Sequence, residues 1–321
     1  MSRPRPAYPR RWTARALVLE GVRRFRKGRI VFGHGTFNAR DEAVWLVSHV
    51  LKCTSEQIFL ASSIPVSSAG ADRVLDLFRR RVDERKPAAY LTHEAWLGGV
   101  RFHVDERAIV PRSHIAGLLQ ARLAPWITRS RQVRSVLDLC TGSGCLAVLS
   151  ARAFPRARVD AADISLSALA VANRNVRALH MDQRIRVVRS DLFENLRAKR
   201  YDLIICNPPY VTSAAMERLP PEYRHEPTRA LAGGRDGLTL VRQILAQASA
   251  HLNPRGLLVM EVGRAQARVE RAFRDIPFIW PDLGRGNAVL IVEREALAGH
   301  GRGKSRESRS SRTRPRVNSR I

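Results

Sequence analysis

The sequence lacks the features that would place it in a metal-binding, secreted or membrane class. Its four cysteines form no C-x-x-C pair, which argues against a zinc site and against a secreted disulfide framework. No run approaches the roughly eighteen apolar residues that a membrane span needs, and no apolar signal core follows the basic N-terminus. These absences predict a cytoplasmic protein with no bound metal and no membrane partner.

Acidic residues are also scarce, since 29 Asp and Glu stand against 56 Lys and Arg and leave a net charge of +27. The excess is concentrated at the two ends: residues 1–29 hold ten basic residues and one acidic, and residues 301–321 hold eight and one. The final segment has almost no large apolar residue, so we expect it to be disordered. Either the basic ends are simply solvated, or they contact RNA nonspecifically through charge.

Hydrophobic spacing divides the chain into parts. Apolar residues recur at helical spacing after residue 30, and strand-like and helix-like segments alternate from about residue 115, which is typical of βαβ units with a mainly parallel sheet. Gly98-Gly99 between alternating apolar residues predicts a hairpin. The predicted division is a basic N-terminal arm at 1–29, a helical domain at 30–90, a hairpin linker at 91–114, an α/β domain at 115–297 and a disordered basic tail at 298–321.

The α/β part is predicted to contain seven strands. They are placed at 136–140, 158–162, 185–189, 202–206, 256–262, 276–281 and 287–293. Ligands of parallel sheets bind outside the carboxyl ends of the strands. The residues that directly follow these strands are therefore the candidate site.

The segment after the first strand predicts a cofactor loop. Asp138 lies near the end of the strand, and the loop then leads into a helix whose free N–H groups point at a ligand. The third glycine of a dinucleotide loop is absent, because Ala147 stands in its place. The candidate loop residues are Cys140, Thr141, Gly142, Ser143 and Gly144.

Acidic residues follow the second and third strands. Asp163, after the second, is placed to accept hydrogen bonds from both ribose hydroxyls of a nucleoside. Asp191 and Leu192, after the third, are candidates to accept from an adenine amino group and to pack on its ring. Together with the glycine loop, these residues predict a nucleoside-containing cofactor.

The fourth strand runs directly into Asn207-Pro208-Pro209-Tyr210 at the same edge of the predicted sheet. A simple Pro-Pro turn would account for the prolines but not for the amide and the tyrosine that flank them. We therefore predict Asn207, Pro208 and Tyr210 as catalytic residues and the whole tetrapeptide as the substrate site.

These residue types suit methyl transfer to a planar nitrogen. The lone pair of such a nitrogen is delocalised into the neighbouring π system and is a poor nucleophile. The amide rotation barrier of about 18–20 kcal/mol gives the scale of this conjugation energy, of which only part is lost in the transition state. Asn207 Oδ1 and the Pro208 carbonyl would accept both N–H bonds and aim the lone pair at the sulfonium methyl of S-adenosylmethionine. Tyr210 would stack on the planar group or wall the pocket. A protein amide and an adenine amino group both remain possible acceptors.

With these motifs placed, residues from about 30 to 297 resemble the HemK/PrmC-like protein glutamine methyltransferases. The resemblance implies an α/β fold, a class I (Rossmann-like) seven-stranded S-adenosylmethionine-dependent methyltransferase with a small N-terminal helical domain for substrate recognition. The matching segments occur in that family's order: Val110-Pro111-Arg112, the cofactor loop, Ser190 to Phe193, Asn207 to Tyr210, Glu226-Pro227 and Gly233 to Leu238.

Within that family the chain is most similar to the PrmB-type branch, which acts on a glutamine of large-subunit ribosomal protein three. Cys140, Val110 to Ser113 and Pro221 to Pro227 carry this similarity. It implies that the methyl donor lies against the cofactor loop, Asp163 and Leu192, and that the glutamine amide lies at Asn207 to Tyr210. The implied partner is a ribosomal protein, free or within an assembling particle.

Three other functions stay open on the sequence. The release-factor branch shares most of these motifs. An enzyme that methylates the adenine amino group of nucleic acid would use a similar tetrapeptide, but it needs a base-reading region with interleaved aromatics, and the chain has only five Trp and five Tyr. A catalytically idle nucleic-acid-binding or ribosome-assembly factor would suit the basic ends but not an intact Asn207 and Asp163.

Overall fold

The computed structural model describes residues 12–60, 65–284 and 288–299. The chain forms two compact units: unit 1 takes the described residues up to Arg112 together with Leu219–Pro227, and unit 2 takes Ser113–Arg218 and the described residues from Thr228 onwards. None of the helices in these ranges has the length and the apolar run needed to cross a bilayer. The start of the predicted arm and nearly all of the predicted tail lie outside the described residues.

Unit 1 consists of helices that each bury one apolar face, followed by a two-stranded antiparallel hairpin. The hairpin turns at Gly98-Gly99, as predicted from the sequence. The helices are α1 (Ala14–Lys27), α2 (Ala39–Leu51), α3 (Ser55–Leu60), α4 (Ser68–Asp83) and α5 (Ala88–Thr92), and the strands are β1 (Glu94–Leu97) and β2 (Val100–His103).

Helix α1 lies where the sequence analysis placed a basic arm. Thr13 caps it by accepting the Ala16 N–H at 3.1 Å. Leu17 and Phe25 are fully buried, and the Phe25 ring packs edge-on against that of Phe78 on α4, with 5.3 Å between centroids. Most basic residues of α1 are exposed. The prediction of a basic arm is therefore wrong for this segment, which is an ordinary amphipathic helix. Its high charge hid the apolar face in the sequence.

The segment Leu219–Pro227 also belongs to unit 1, although the predicted division kept it in the α/β domain. Glu226 is 3% exposed and accepts the backbone N–H of Val110 at 3.0 Å. Arg112 donates to both of its carboxylate oxygens, at 2.5 and 2.6 Å. Burial raises the pKa of Glu226, but the hydrogen bonds and charge of Arg112 prevail and lower it to about 2. The segments around residues 110 and 226 both carried the family resemblance, and the structure shows that they are joined by one buried ion pair.

A second buried cluster centres on Arg81, which is fully inaccessible to solvent. Its Nε donates to Glu42 Oε1 at 2.5 Å, and a terminal nitrogen donates to the Val31 carbonyl at 2.9 Å. Glu42 also accepts from Thr36 Oγ1 at 2.6 Å. Glu222 lies 3.7 Å from Arg81 and accepts the Val31 N–H at 3.0 Å. The cluster connects α2, α4 and the segment Leu219–Pro227 within unit 1.

Unit 2 alternates strands and helices, as the sequence predicted. Its strands are β3 (Ser135–Leu139), β4 (Arg158–Asp163), β5 (Ile185–Arg189), β6 (Tyr201–Cys206), β7 (Leu252–Gly263) and β8 (Ala288–Glu293). Its helices are α6 (Ile115–Gln120), α7 (Cys145–Ala153), α8 (Leu166–Ala178), α9 (Ser213–Met216), α10 (Thr228–Leu231), α11 (Thr239–Ala248) and α12 (Gln266–Ala272).

The sheet of unit 2 has the order β5-β4-β3-β6-β7-β8, with only β8 antiparallel to its neighbour. The prediction of seven strands is wrong by one within the described residues. The segment 276–281 contributes only a single antiparallel bridge, from Ile279 to Ile291 on β8. Pro277 and Pro281 flank that bridge, and neither has an N–H to extend a ladder.

Replacing Arg81 by Ala should destabilise unit 1 strongly, because it leaves Glu42 buried without its cation. We expect a loss of about 3–5 kcal/mol in the free energy of unfolding. Arg80→Ala, which removes an exposed pair with Glu84 on the same helix, should cost less than about 1 kcal/mol. Chemical denaturation followed by tryptophan fluorescence measures both, and equal losses would show that the buried cluster is not a stabilising feature.

Candidate active site

The reversal of strand order next to β3 determines where a ligand can bind in unit 2. The chain runs from β3 outward through β4 to β5, and then returns to the other side of β3 for β6 and β7. Loops that leave the carboxyl ends on either side of such a reversal diverge and open a crevice. Leu139 pairs with Cys206, so the loops that begin at Cys140 and Asn207 start side by side.

The cofactor loop bends through three residues with left-handed backbone. Cys140, Gly142 and Gly144 have φ angles of 59°, 55° and 79°. A side chain in this region costs about 1–2 kcal/mol, so Cys140 carries a strain that a glycine would not. Gly144 is needed for packing as well, since a Cβ there would lie 3.1 Å from Ala172 Cβ on α8.

Asp138 supports the loop from a fully buried position. Its Oδ2 accepts from Thr141 Oγ1 at 2.5 Å, and the Thr141 N–H donates to the Ala162 carbonyl of β4 at 3.0 Å. Burial raises the pKa of Asp138 to about 7 despite the hydrogen bond from Thr141. Ser143 is also buried, and its carbonyl accepts from the Asn175 side chain at 2.9 Å.

Asp163 lies at the carboxyl end of β4, and its carboxylate is held by two backbone N–H groups. Oδ2 accepts from Gly142 and Oδ1 from Ser165, each at 2.9 Å. Burial raises the pKa of Asp163, whereas these N–H groups act in the opposite direction. Each oxygen retains a second lone pair. The carboxylate is thus oriented and can still accept from a ribose diol.

The loop after β5 is held in a fixed shape by Ser190. Its hydroxyl donates to the Leu192 carbonyl at 2.7 Å and accepts the Asn195 N–H at 3.1 Å. Leu192 is 8% exposed and has a φ of 45°, whereas Asp191 is exposed. Of the two residues predicted at this position, Leu192 therefore contributes an apolar surface and Asp191 an accessible carboxylate.

The tetrapeptide after β6 has buried prolines at 208 and 209 between the partly exposed Asn207 and Tyr210. Three glycines leave room for Tyr210. A Cβ at Gly233 would lie 2.7 Å from the Tyr210 Cα, one at Gly263 would lie 2.5 Å from the ring, and one at Gly237 would collide with the Tyr210 carbonyl. Two of these glycines, Gly233 and Gly237, belong to the segment that carried part of the family resemblance, and they help to determine the position of the tyrosine.

Glu261 near the end of β7 connects this tyrosine to the start of unit 2. It is 1% exposed, and its Oε1 accepts from the Tyr210 hydroxyl at 3.3 Å. Its Oε2 accepts from Ser113 Oγ at 2.6 Å and from the His114 N–H at 3.1 Å. The hydrogen bond with Glu261 also raises the pKa of His114. Glu261 therefore orients Tyr210 from behind.

The structure brings together in unit 2 every residue that the sequence predicted for the site. Each follows, or lies near the end of, one of the four adjacent strands β5, β4, β3 and β6. Sequence reasoning missed Glu261, Ser113 and His114. A detectable signal existed, because Glu261 is the one acidic residue in the otherwise apolar run 256–263 of β7.

Two family descriptions match the chain. The PrmC N-terminal domain matches residues 32–92, and the Methyltransferase small domain matches residues 121–219. The first match covers most of the helices of unit 1, and the second covers β3 to β6 with their loops. A solved methyltransferase from Pyrococcus furiosus is 20% identical, with a TM-score of 0.45 over 61% of this chain and 89% of that one.

Curated relatives match nearly the whole chain. A ribosomal protein uL3 glutamine methyltransferase from Bordetella pertussis is 51% identical over 286 residues, 89% of this chain and 96% of the relative. Proteins of the same name from Burkholderia pseudomallei and Neisseria meningitidis serogroup B are 47% and 45% identical, over 89% of this chain and 97% and 95% of theirs.

Asp163→Ala should weaken the binding of S-adenosylmethionine. The change removes the charged acceptor for the ribose hydroxyls and also releases the Gly142 N–H. Since hydrogen bonds to charged groups contribute about 1.5–3 kcal/mol each, we expect the dissociation constant to rise roughly tenfold to a hundredfold. Isothermal titration calorimetry measures it, with Asp182→Ala, an exposed carboxylate at the other end of the sheet, as the control. Unchanged binding in Asp163→Ala would exclude this carboxylate from the donor site.

Glu261→Gln should slow methyl transfer about tenfold without changing donor affinity, since the amide replaces one acceptor oxygen by a donor and releases Tyr210 or Ser113. Tyr210→Phe should have a similar effect on kcat. Because the two residues act through one hydrogen bond, the double variant should be no slower than the slower single one. Fully additive losses in steady-state kinetics would show that Glu261 does not act through Tyr210.

Proposed function

Since this chain belongs to the family of ribosomal protein uL3 glutamine methyltransferases, we propose that it methylates the side-chain amide nitrogen of a glutamine in uL3. uL3 is protein three of the large ribosomal subunit, and the methyl donor is S-adenosyl-L-methionine. The relatives confirm the PrmB-type branch of the HemK/PrmC-like family that the motifs predicted. They favour uL3 over a release factor, because each of them carries the uL3 name.

The observation that carries this proposal is the pairing of Leu139 with Cys206. Because of this pairing, the loop suited to a nucleoside-containing donor and the tetrapeptide suited to an amide nitrogen start next to each other. Methyl transfer requires the donor methyl and the acceptor nitrogen to meet in line. Two loops that diverge from adjacent strand ends provide that arrangement.

The residues at this edge fit S-adenosylmethionine. Asp163 offers an oriented carboxylate to the ribose hydroxyls, and the glycine loop leads into the N-terminus of α7, where the cap residue Gly144 makes no side-chain hydrogen bond to the first turn. Bound there, the donor supplies an electrophilic methyl group on a sulfonium. We assign its binding to Asp138, Cys140, Thr141, Gly142, Ser143, Gly144, Asp163, Asp191, Leu192 and Asn207.

Asn207 and Pro208 act on the acceptor amide. The amide nitrogen attacks only when its lone pair is partly withdrawn from conjugation with its carbonyl. Asn207 Oδ1 and the Pro208 carbonyl accept the two N–H bonds of the glutamine side chain and turn its lone pair towards the methyl group. Such acceptors stabilise the pyramidal nitrogen of the transition state more than the planar ground state.

Pro209 and Tyr210 complete the substrate site. The two buried prolines hold fixed φ angles and offer no N–H that would compete for the acceptor groups. Tyr210, held by Glu261 and enclosed by three glycines, forms a rigid wall against the planar amide. The alkylated nitrogen loses its proton readily, so no separate general base is assigned.

The proposed setting is the cytoplasm, where ribosomal proteins are made and assembled. We propose that the partner is uL3 itself, recognised by the helices of unit 1, before or during its incorporation into the large subunit. The basic tail at 298–321, predicted as a nonspecific RNA contact, lies almost entirely outside the described residues.

Incubation with labelled S-adenosylmethionine and unmethylated large subunits or free uL3 should label one glutamine of uL3. Mass spectrometry of the digested product identifies the residue. Label confined to RNA or DNA would support adenine methylation instead, and label in a release factor would assign the chain to the other branch. Absence of any transfer would support an inactive binding factor.

In the same assay Asn207→Ala should reduce kcat by about a hundredfold or more, the scale for removing one group that stabilises a transition state. Donor affinity should change little, because Asn207 acts mainly on the acceptor nitrogen. Asn173→Ala, an exposed residue of α8, is the matched control. Full activity in Asn207→Ala would contradict the proposed role.

A further inference from the structure

Unit 2 has a basic hollow at the amino ends of its strands, the end of the sheet opposite the candidate active site. The hollow is open and has a volume of about 610 Å³. Four arginines line it, namely Arg129, Arg131, Arg134 and Arg156, and the other lining residues are neutral. We call this feature the arginine hollow.

The sheet itself brings the four arginines together. Arg129 caps the short 3₁₀ helix at 130–132, Arg131 lies within it, and Arg134 directly precedes β3. Arg156 lies in the loop before β4, and the Arg158 N–H donates to the Arg134 carbonyl at 2.9 Å. The parallel pairing of β3 with β4 therefore places two separate basic segments at one strand edge.

None of these four side chains makes an ion pair with another described residue, and all four are exposed. The adjoining hollow is different. There Asp160 pairs with Arg186 at 2.8 Å and with Lys199 at 2.7 Å, and Asp182 is a second acidic residue of the lining, so part of its positive charge is compensated. One carboxylate lies beside the arginine hollow, because Asp202 accepts the Arg134 N–H at 2.8 Å, but four unpaired guanidinium groups still leave a net positive charge there.

Like charges that line one hollow repel one another, and an anion bound between them relieves that repulsion. The planar guanidinium matches phosphate oxygens in two-pronged geometry, which makes arginine the preferred residue for phosphate. The lining contains no aromatic side chain that would stack on a base. Such a surface recognises a phosphate backbone rather than a base sequence.

We propose that the arginine hollow binds the phosphate backbone of RNA. The choice of RNA among polyanions rests on the proposed function, because uL3 is a ribosomal protein. The hollow lies about 16 Å, the length of the five-residue strand β3, from the candidate active site. RNA held there leaves the crevice open, so this contact would keep the enzyme on a particle that carries its substrate.

The test compares the full chain with a variant that carries Arg131→Gln, Arg134→Gln and Arg156→Gln. Fluorescence anisotropy with a labelled double-stranded RNA stem-loop gives the dissociation constant over a KCl series. Affinity falls as salt rises, and each lost phosphate contact reduces the steepness of log affinity against log salt by about 0.9. We therefore expect a slope less steep by about 2 to 3 and, at low salt, binding at least about tenfold weaker.

The matched control carries Arg177→Gln, Arg271→Gln and Arg274→Gln, which remove the same charge from exposed positions on or next to α8 and α12. It should leave the slope nearly unchanged. Equal effects of the two triple variants would show that RNA binding depends only on the net charge of the protein, and this would overturn the proposal. An unaltered slope in the hollow variant would overturn it as well. Tighter binding of the wild-type chain to duplex DNA than to RNA of the same sequence would also contradict it.

Methylation of isolated uL3 separates this proposal from the proposed function. The hollow variant should methylate free uL3 at the wild-type rate, because none of its substituted residues lies near the site. If the wild-type chain methylates nothing but the slopes differ as expected, the proposed function fails and the RNA surface stands. If the wild-type chain methylates uL3 but the slopes do not differ, the proposed function stands and the proposed RNA surface is wrong.

Discussion

The candidate site depends on one topological constraint, the reversal of strand order next to β3. Parallel strands place all their carboxyl ends at one edge of the sheet. Because the strand order reverses between β3 and β6, the loops that follow these two strands diverge at that edge. The loop proposed to bind the donor and the tetrapeptide proposed to bind the acceptor follow these two strands. The chemistry inferred for the protein therefore follows from strand order before it depends on any single side chain.

Buried carboxylates then determine the shape of the loops. Asp163 accepts the N–H of Gly142, and Glu261 accepts that of His114 and the hydroxyl of Tyr210. In unit 1, Glu226 accepts the N–H of a residue in the segment before Ser113. Loop N–H groups have no helix or sheet partner, and leaving one buried and unpaired is costly. Each carboxylate removes such a cost and at the same time fixes a loop in one conformation.

The distribution of charge has two different explanations. In α1 the basic residues occupy the solvent face of a packed helix, and in the cluster around Arg81 they neutralise buried glutamates. At the amino ends of β3 and β4, by contrast, four arginines line one hollow whose described lining includes no acidic residue. Only the tertiary structure separates charge that stabilises the fold from charge that is available to a partner. The net charge of the sequence combines the two.

The sequence by itself determined the α/β class and the family and predicted the candidate site at the cofactor loop, Asp163 and Asn207 to Tyr210. The class I methyltransferase fold is confirmed, with six strands among the described residues in place of seven. These features are local, because each motif directly follows one strand. Only the tertiary structure showed the partners of Glu226 and Glu261, which lie 116 and 148 positions away. Such pairs leave no periodicity in the sequence, since their hydrogen bonds form only after distant segments have packed.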